Sequence, residues 1–293
     1  MSLIPGLKVP AFSRLAWVSS AARAAWEPTI ARASTLVNEL EVLSVLAGHR
    51  PCAWQQIPEK DFLFTLAKLM AMGLLVLPVK KVGASPAGFA HYHEAPRNDG
   101  TDNVCFIVAK RFEDAVGYRL AFEAGDHEKQ GHYLGFPPCC TKFFSEWWTK
   151  GYIDPIWQAA ENSGGADSFC IQDIPNCDRV RVKKHPWSNP MLRYAGVRVC
   201  FHIPCSFSCA ATIAEAERRV GLAEDKGPLQ AFERLLRMPM SWDVLAGTAV
   251  VRTPLFYIIT SSVAEDRRLV VEAEGDFIPE EAAAGLVFPF RRK

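Results

Sequence analysis

The hydrophobic pattern of the first quarter of the chain predicts two helices followed by a short strand. Residues 13–47 are rich in alanine, leucine, glutamate and arginine, and Gly48 is placed to end the helix that this composition predicts. Asp61 is a suitable N-cap for a second helix over residues 62–75, and Gly73 lies near the end of that helix. The sequence LVLPVKK, which begins at Leu75, predicts a short extended strand.

This order of a helix, a turn, a helix and an extended segment resembles a winged helix-turn-helix module over residues 36–82. In a DNA-binding module of that kind, the second helix presents arginine, lysine, asparagine or glutamine to the bases. Lys68 is the only charged residue between Phe62 and Leu75, so the sequence argues against nucleic acid as a partner. We expect the N-terminal module to pack against the rest of the chain or to dock a protein partner.

The composition of residues 83–103, which is rich in small and polar residues, predicts a linker. The linker divides the chain into a helical, winged-helix-like module at residues 1–82 and a mixed second domain at residues 104–293. In the second domain the pattern predicts strands at residues 104–109, 197–203, 248–260 and 269–272, and helices at residues 112–124, 141–148, 210–220 and 228–237. We therefore expect an α+β fold.

Charge and hydropathy narrow the class of protein further. The 33 basic and 32 acidic residues give a net charge of +1, which offers no argument for nucleic acid or an anionic membrane as a partner. No apolar run reaches the roughly 20 residues that span a bilayer. The first 20 residues lack the continuous apolar core of a secretory signal, because polar and proline residues interrupt them. We expect a cytoplasmic protein without a membrane partner.

The nine cysteines are the strongest chemical signal in the sequence. An odd number in a long chain without a secretory signal argues against a disulfide framework. In a reducing compartment, clustered cysteines indicate metal or redox chemistry, whereas scattered ones are usually small core residues. The clusters here form two motifs, GFPPCCTKFF at residues 135–144 and FHIPCSFSC at residues 201–209.

The first motif places two adjacent cysteines, Cys139 and Cys140, directly after two prolines. Proline fixes φ and lacks an N–H group, so the pair of prolines suits a helix start, with Thr141 as a cap. Neighbouring cysteines rarely form a disulfide, because the small ring strains its geometry, but at a helix start both can face one ion. The aromatic residues that follow at helical spacing are most simply core residues that also exclude water from the cysteines.

The second motif follows an alternating segment, VRVCFHI, which predicts a strand with Cys200 and His202 on one face. A proline ends this strand, and Cys205 and Cys209 follow in a C-x3-C turn. The alanine-rich segment after Cys209 predicts a helix, capped by a serine between the two cysteines. Both motifs therefore place thiols at helix N-termini, where the helix dipole stabilises a thiolate.

These features predict a metal site, with ligands drawn from Cys139, Cys140, Cys200, Cys205 and Cys209. Four thiolates suit either a [4Fe–4S] cluster or a tetrahedral zinc ion. We favour the iron–sulfur cluster, because structural zinc sites usually use two C-x-x-C hooks on turns. The competing interpretation is a set of buried, inert thiols.

The pairing of LGFPPCC with HIPCSFSC resembles an uncharacterised prokaryotic family that carries both motifs. The resemblance extends over residues 112–260 or so. It implies no established activity, but it does imply that the two motifs belong to one site.

Three polar residues are candidates for acid–base chemistry beside the metal: His202, Asp126 and His132. The favoured hypothesis is an iron–sulfur enzyme, an oxidoreductase or lyase, that performs redox or Lewis-acid chemistry on a small molecule or modified peptide. One alternative is a non-catalytic, zinc-stapled protein that binds a partner. Another is a thiol or persulfide carrier that uses Cys139 and Cys140.

Overall fold

The structure is a computed structural model, and it describes residues 7–8, 13–83, 95–149, 155–163, 167–170, 177–181, 185–190, 199–237, 241–245, 248–252, 255–260 and 270–271. The α-helices in these residues are α1 (Ser20–Leu46), α2 (Glu59–Ala71), α3 (Phe112–Glu123), α4 (His127–Tyr133), α5 (Pro138–Thr149), α6 (Ile156–Glu161), α7 (Ala210–Val220) and α8 (Gly227–Leu236). A short 3-10 helix spans Pro186–Ser188.

The strands are β1 (Leu7–Lys8), β2 (Ser13–Trp17), β3 (Cys52–Pro58), β4 (Leu75–Val82), β5 (Asn103–Ala109), β6 (Asp167–Cys170), β7 (Cys177–Arg181), β8 (Ser241–Leu245), β9 (Thr248–Arg252), β10 (Phe256–Thr260) and β11 (Val270–Val271). The mixture of helices and antiparallel strands confirms the expected α+β class. The predicted helix at residues 210–220 matches α7, and the predicted strand at residues 248–260 is the hairpin of β9 and β10.

A three-stranded antiparallel sheet has the order β3-β5-β4. Its central strand, β5, is buried on both faces. Ile107 packs with α3 on one face, and Phe106 packs with the end of α1 and with α2 on the other. The pattern of β5 is therefore a continuous apolar run rather than an alternation, as expected for a strand covered on both sides.

Strand β3 corrects the prediction of a turn between the first two helices. Pro51 lies directly before this strand and Pro58 is its last residue, so neither proline interrupts the pairing with β5. Helix α2 accordingly begins at Glu59 and not after Asp61, and its N-cap position, Pro58, makes no side-chain cap hydrogen bond.

The small sheet also joins chain segments on either side of the predicted linker. Strands β3 and β4 precede residue 83, whereas β5 begins at Asn103 and lies hydrogen-bonded between them. Residues 84–94 of the predicted linker lie outside the described residues. A second antiparallel sheet, of order β2-β10-β9-β8-β7-β6, likewise pairs a strand near the N-terminus with strands near the C-terminus.

Helix α1 connects the small sheet to the largest apolar core. Ile30, Ala33, Val37 and Leu40 follow the three- and four-residue spacing of one helix face, and all four are buried. They pack with residues of α5, α6, α7, α8 and the segment 199–207. Both cysteine motifs are therefore attached to the same core.

Among the described residues, no helix combines the length and the apolar character needed to cross a bilayer.

Candidate metal centre

Four cysteine side chains meet in space: Cys139, Cys140, Cys205 and Cys209. Their sulfur atoms all lie within 4.8 Å of one another. The Sγ atom of Cys209 lies 3.8 Å from that of Cys139 and 3.7 Å from that of Cys140, and the last two are 3.8 Å apart. The prediction that the two motifs form one site is confirmed, and the group could hold a metal ion.

The first pair of thiols lies in the first turn of α5. This helix begins at Pro138, and the backbone N–H of Cys140 donates to the carbonyl of Pro137 at 2.9 Å. Adjacent residues on a helix point about 100° apart, so two thiols in the first turn can approach one point from different directions. Thr141 does not cap the helix as predicted, because its hydroxyl donates to the carbonyl of Pro138 inside the first turn.

The turn before α5 depends on a glycine. Gly135 has a φ of +66°, a conformation that side chains with a Cβ atom rarely adopt. A Cβ atom at this position would lie 2.7 Å from the Cβ of Arg50. Close packing therefore adds to the backbone requirement for glycine here, directly before the two prolines and two cysteines.

The second pair of thiols lies at the start of α7. Cys209 occupies the N-cap position, and the turn from Cys205 brings its sulfur to the same point. The backbone N–H of Cys205 lies 3.4 Å from Cys140 Sγ and donates to it. Neither Ser206 nor Ser208 is the N-cap residue, contrary to the prediction, since α7 begins at Ala210 and Cys209 takes that position.

The two residues that follow α6, Asn162 and Ser163, hold the turn between Cys205 and Cys209 in place. The side-chain amide of Asn162 donates to the carbonyl of Cys205 at 3.0 Å. The hydroxyl of Ser163 accepts from the backbone N–H of Phe207 at 2.8 Å, and Ser208 donates to the carbonyl of Ser163. These bonds satisfy polar groups in the turn and fix the separation of Cys205 from Cys209.

The environment favours one thiolate in the group. Hydrogen bonding from Cys140, with a further contribution from Thr212, lowers the pKa of Cys209 to about 4. Hydrogen bonding with Cys209 and burial raise the pKa of Cys140, and burial raises that of Cys205 to about 12. Cys209 also lies at the N-terminus of α7, where the helix dipole stabilises an anion.

A buried ion network lies behind the cysteines. One oxygen of the Glu41 carboxylate, on α1, forms ion pairs with Arg50 and with Arg219, and Glu215 pairs with Arg219. Glu41, Arg50 and Arg219 are each at most 4% exposed. Such a network is stable only while every charge in it is compensated.

The two arginines of this network contact the chain just before each cysteine motif. Arg50 donates to the carbonyl of Leu134, and its guanidinium lies 5.6 Å from the ring centre of Phe136. Arg219 donates to the carbonyl of Val199, and its guanidinium lies 5.0 Å from the ring centre of Phe201. Glu41 therefore holds, through two arginines, both of the segments that lead to the thiols.

Cys200 is the predicted ligand that the structure leaves out of the group. Residues 199–202 form bends and not the predicted strand, so Cys200 and His202 do not share a strand face. The sulfur of Cys200 donates to the carbonyl of His202 at 3.0 Å. Val199, Cys200 and Ile203 are all buried, so the alternating pattern did not mark an exposed and a buried face. Residues 197 and 198 lie outside the described residues.

The three predicted acid–base residues have different surroundings. His202 is buried, and its Nε2 atom lies 2.9 Å from the hydroxyl of Thr212, which is itself 3.3 Å from Cys140 Sγ. Asp126 is the N-cap of α4, where it accepts from the backbone N–H of Lys129 and pairs with the side chain of that lysine. His132 is exposed in the last turn of α4, where its ring packs edge-on against Tyr133. Of the three, His202 is connected to the cysteine group by hydrogen bonds.

Sequence reasoning missed Thr212 and the ion network. Thr212 is fully buried one helical turn after Cys209, and this spacing is the only signal of it in the sequence. Glu41 and Arg50 lie far from Arg219 in the chain, and the three residues gave no sequence signal.

Comparisons with protein-family models, with curated proteins and with solved structures gave no match to this chain, so the resemblance to a prokaryotic family stays an expectation.

Proposed function

We propose that Cys139, Cys140, Cys205 and Cys209 bind a single metal ion in a tetrahedral site, and that the ion is zinc. The observation that carries the proposal is the spacing of the sulfurs. A zinc–sulfur bond of about 2.3 Å in a regular tetrahedron separates the sulfurs by about 3.8 Å. Three of the sulfur–sulfur distances are 3.7–3.8 Å, so one ion fits between the four atoms with little rearrangement.

The competing cofactor is the [4Fe–4S] cluster that the sequence favoured. Helix N-termini and nearby aromatic residues, such as Phe143 and Trp147, support it. A cubane places iron and sulfide atoms between its cysteines, which separates their sulfurs to roughly 6 Å. The four sulfurs lie within 4.8 Å of one another and would have to move apart to hold it. A single iron ion, in contrast, fits the same tetrahedron as zinc.

Four thiolate ligands give the site a structural role. Catalytic zinc sites keep one position open for water or substrate, whereas structural sites are closed by four protein ligands. The centre joins the start of α5 to the turn before α7, in addition to the apolar core and the ion network that already connect these two segments. We therefore propose that the protein is non-catalytic and zinc-stapled, and that metal binding contributes to its folding free energy.

An enzyme with Lewis-acid or redox chemistry remains the second candidate. Cys139 is the exposed member of the group, so it is the ligand that a substrate could replace. The third candidate is a thiol or persulfide carrier that uses Cys139 and Cys140. The raised pKa of Cys140 argues against that cysteine as the nucleophile, since a thiolate is the nucleophilic form, and the lowered pKa belongs to Cys209. That candidate predicts metal-free protein with one rapidly alkylated cysteine.

The remaining predictions concern the partner and the compartment. Leu63, Phe64 and Met70 on α2 are 61–78% exposed, and this face supports the winged-helix-like module as the part that contacts a protein partner. Cytoplasmic localisation is supported by the sequence argument for reduced cysteines.

Metal analysis of anaerobically purified protein tests the proposal. We expect colourless protein with one zinc ion per chain, no acid-labile sulfide, and loss of the zinc in a Cys209→Ser variant. Cys105→Ala is the matched control, because Cys105 is also buried but lies in β5, outside the cysteine group. Brown protein that contains sulfide would favour the iron–sulfur enzyme, and metal-free protein with a fast-reacting thiol would favour the carrier.

A further inference from the structure

A hydroxyl group connects the cysteine group to a buried histidine. Thr212 Oγ1 lies 3.3 Å from Cys140 Sγ and 2.9 Å from His202 Nε2. Thr212 is fully buried and His202 is 9% exposed, so both contacts are shielded from water. The hydroxyl carries one hydrogen and can donate it either toward the sulfurs of Cys140 and Cys209 or toward His202, but not in both directions.

Binding of a metal by Cys140 decides that direction. A coordinated thiolate has no S–H and can only accept a hydrogen bond. The Thr212 hydroxyl must then donate to the sulfur, and its oxygen must accept from His202. This order requires the neutral histidine tautomer in which Nε2 carries the hydrogen.

The surroundings of His202 favour the same tautomer. Its Nδ1 atom is buried and has no hydrogen-bond partner among the described residues. A hydrogen on Nδ1 would therefore be a buried donor without an acceptor, which is costlier than an unpaired lone pair. The ring packs against Phe136, with a centroid distance of 4.9 Å, and burial together with the charges of Arg219 and Arg50 keeps it neutral.

We infer that Thr212 and His202 form a positioning relay for the metal centre, in which His202 Nε2–H holds the Thr212 hydroxyl so that it donates to Cys140 Sγ. The inference rests on the proposed metal-binding function. It adds Thr212 and His202 as residues that orient a ligand without binding the metal themselves. A hydrogen bond to a bound thiolate disperses its negative charge and fixes its orientation. Groups that orient metal ligands in this way typically contribute ten- to a hundredfold, by order of magnitude, to metal affinity.

Two variants of Thr212 distinguish the effect of its hydroxyl group from the effect of its packing. Thr212→Val keeps the shape and removes the hydroxyl, whereas Thr212→Ser keeps the hydroxyl. With Co²⁺ and Zn²⁺ as probes, we expect Thr212→Val to weaken binding roughly tenfold to a hundredfold and Thr212→Ser to stay near the wild-type affinity. In the Co²⁺ protein, Thr212→Val should also shift the thiolate-to-cobalt charge-transfer band to longer wavelength, because the sulfur loses a donor and becomes more electron-rich.

A measurement on the unmodified protein covers the case in which Thr212→Val does not fold. We expect ¹⁵N NMR of the zinc-loaded wild type to show His202 as the Nε2–H tautomer, and Nδ1–H would overturn the inference. Equal affinities and equal cobalt spectra for wild type and Thr212→Val would overturn it too. Wild-type protein that binds neither metal would overturn the proposed function and this inference together. The Nδ1–H tautomer, or equal affinities and spectra for the two proteins, would overturn this inference alone and would not contradict the metal site.

Discussion

The Glu41→Gln substitution tests whether the buried ion network holds the cysteine motifs in place. The change keeps the size of the side chain and removes its negative charge. One carboxylate oxygen of Glu41 pairs with two guanidiniums, at 2.9 Å in the case of Arg219. After the substitution Arg219 keeps the carboxylate of Glu215, while Arg50 keeps the carbonyl of Leu134. The network loses the charge that both arginines share.

The size of the effect follows from burial. Glu41 is 1% exposed and Arg50 is 4% exposed, so water cannot replace the lost partner. Removing one member of a buried ion pair costs about 3–5 kcal/mol, because it leaves a charge buried without compensation. A whole domain is stable by only about 5–15 kcal/mol, so this loss is a large fraction of the total.

Urea denaturation of zinc-loaded protein measures this loss. The matched control is Glu39→Gln, because Glu39 lies on the same helix but is exposed, and surface substitutions change stability by about 0.5 kcal/mol or less. We also expect Glu41→Gln to bind zinc more weakly than Glu39→Gln, since the segments before both motifs lose their anchor. A loss of stability below about 1 kcal/mol, with unchanged zinc affinity, would refute the reasoning from the network.

Three further predictions concern the turn, the metal and the histidine. Gly135→Ala should destabilise the protein by more than the roughly 1–2 kcal/mol that a left-handed alanine costs, because the added Cβ also meets Arg50. Gly125→Ala is the control, since Gly125 also has a positive φ but has open space around it, and it should cost only the backbone amount. Equal melting temperatures for the two variants would contradict this prediction. Removing zinc with a chelator should lower the melting temperature and make Cys139 and Cys209 accessible to alkylation, which mass spectrometry of labelled peptides measures. An unchanged melting temperature would contradict a structural role for the metal. Burial lowers the pKa of His202 to about 3, so the NMR signals of His202 should not titrate between pH 8 and pH 5. The contribution of His202 to stability should be complete above the unfolded pKa of about 6.5 and should decline as the pH falls from there toward 3. Titration of His202 near pH 6 would contradict its buried placement.

The four cysteines could be predicted because their signals are local. Proline before Cys139 and Cys140 marks a helix start, and the alanine-rich segment after Cys209 marks another. Thiols that need the same chemistry were then expected to meet, and they do. The same reasoning failed for Cys200, because a period of two identifies a strand only when one face is exposed, and both sides of this segment are buried.

The parts of the fold that could not be predicted depend on contacts between distant residues. Strand β3 was expected to be a turn, and only its pairing with β5 identifies it as a strand. In the sequence, Glu41 is one charged residue of a predicted helix. Its ion pair is visible only in the folded chain, where Arg219 of α7 lies beside it. The sequence favoured an iron–sulfur cluster because its motifs differ from the C-x-x-C pairs of structural zinc sites. The sulfur–sulfur spacing, on which the proposal of a single ion rests, is a property of the folded chain.

X-ray absorption spectroscopy at the metal edge of the purified protein tests the central claim most directly. A single tetrahedral zinc ion predicts one shell of four sulfurs at about 2.3 Å and no metal–metal scattering. Iron with a short iron–iron distance would contradict the proposal of a single ion, because a cubane would require sulfurs that lie within 4.8 Å of one another to move apart.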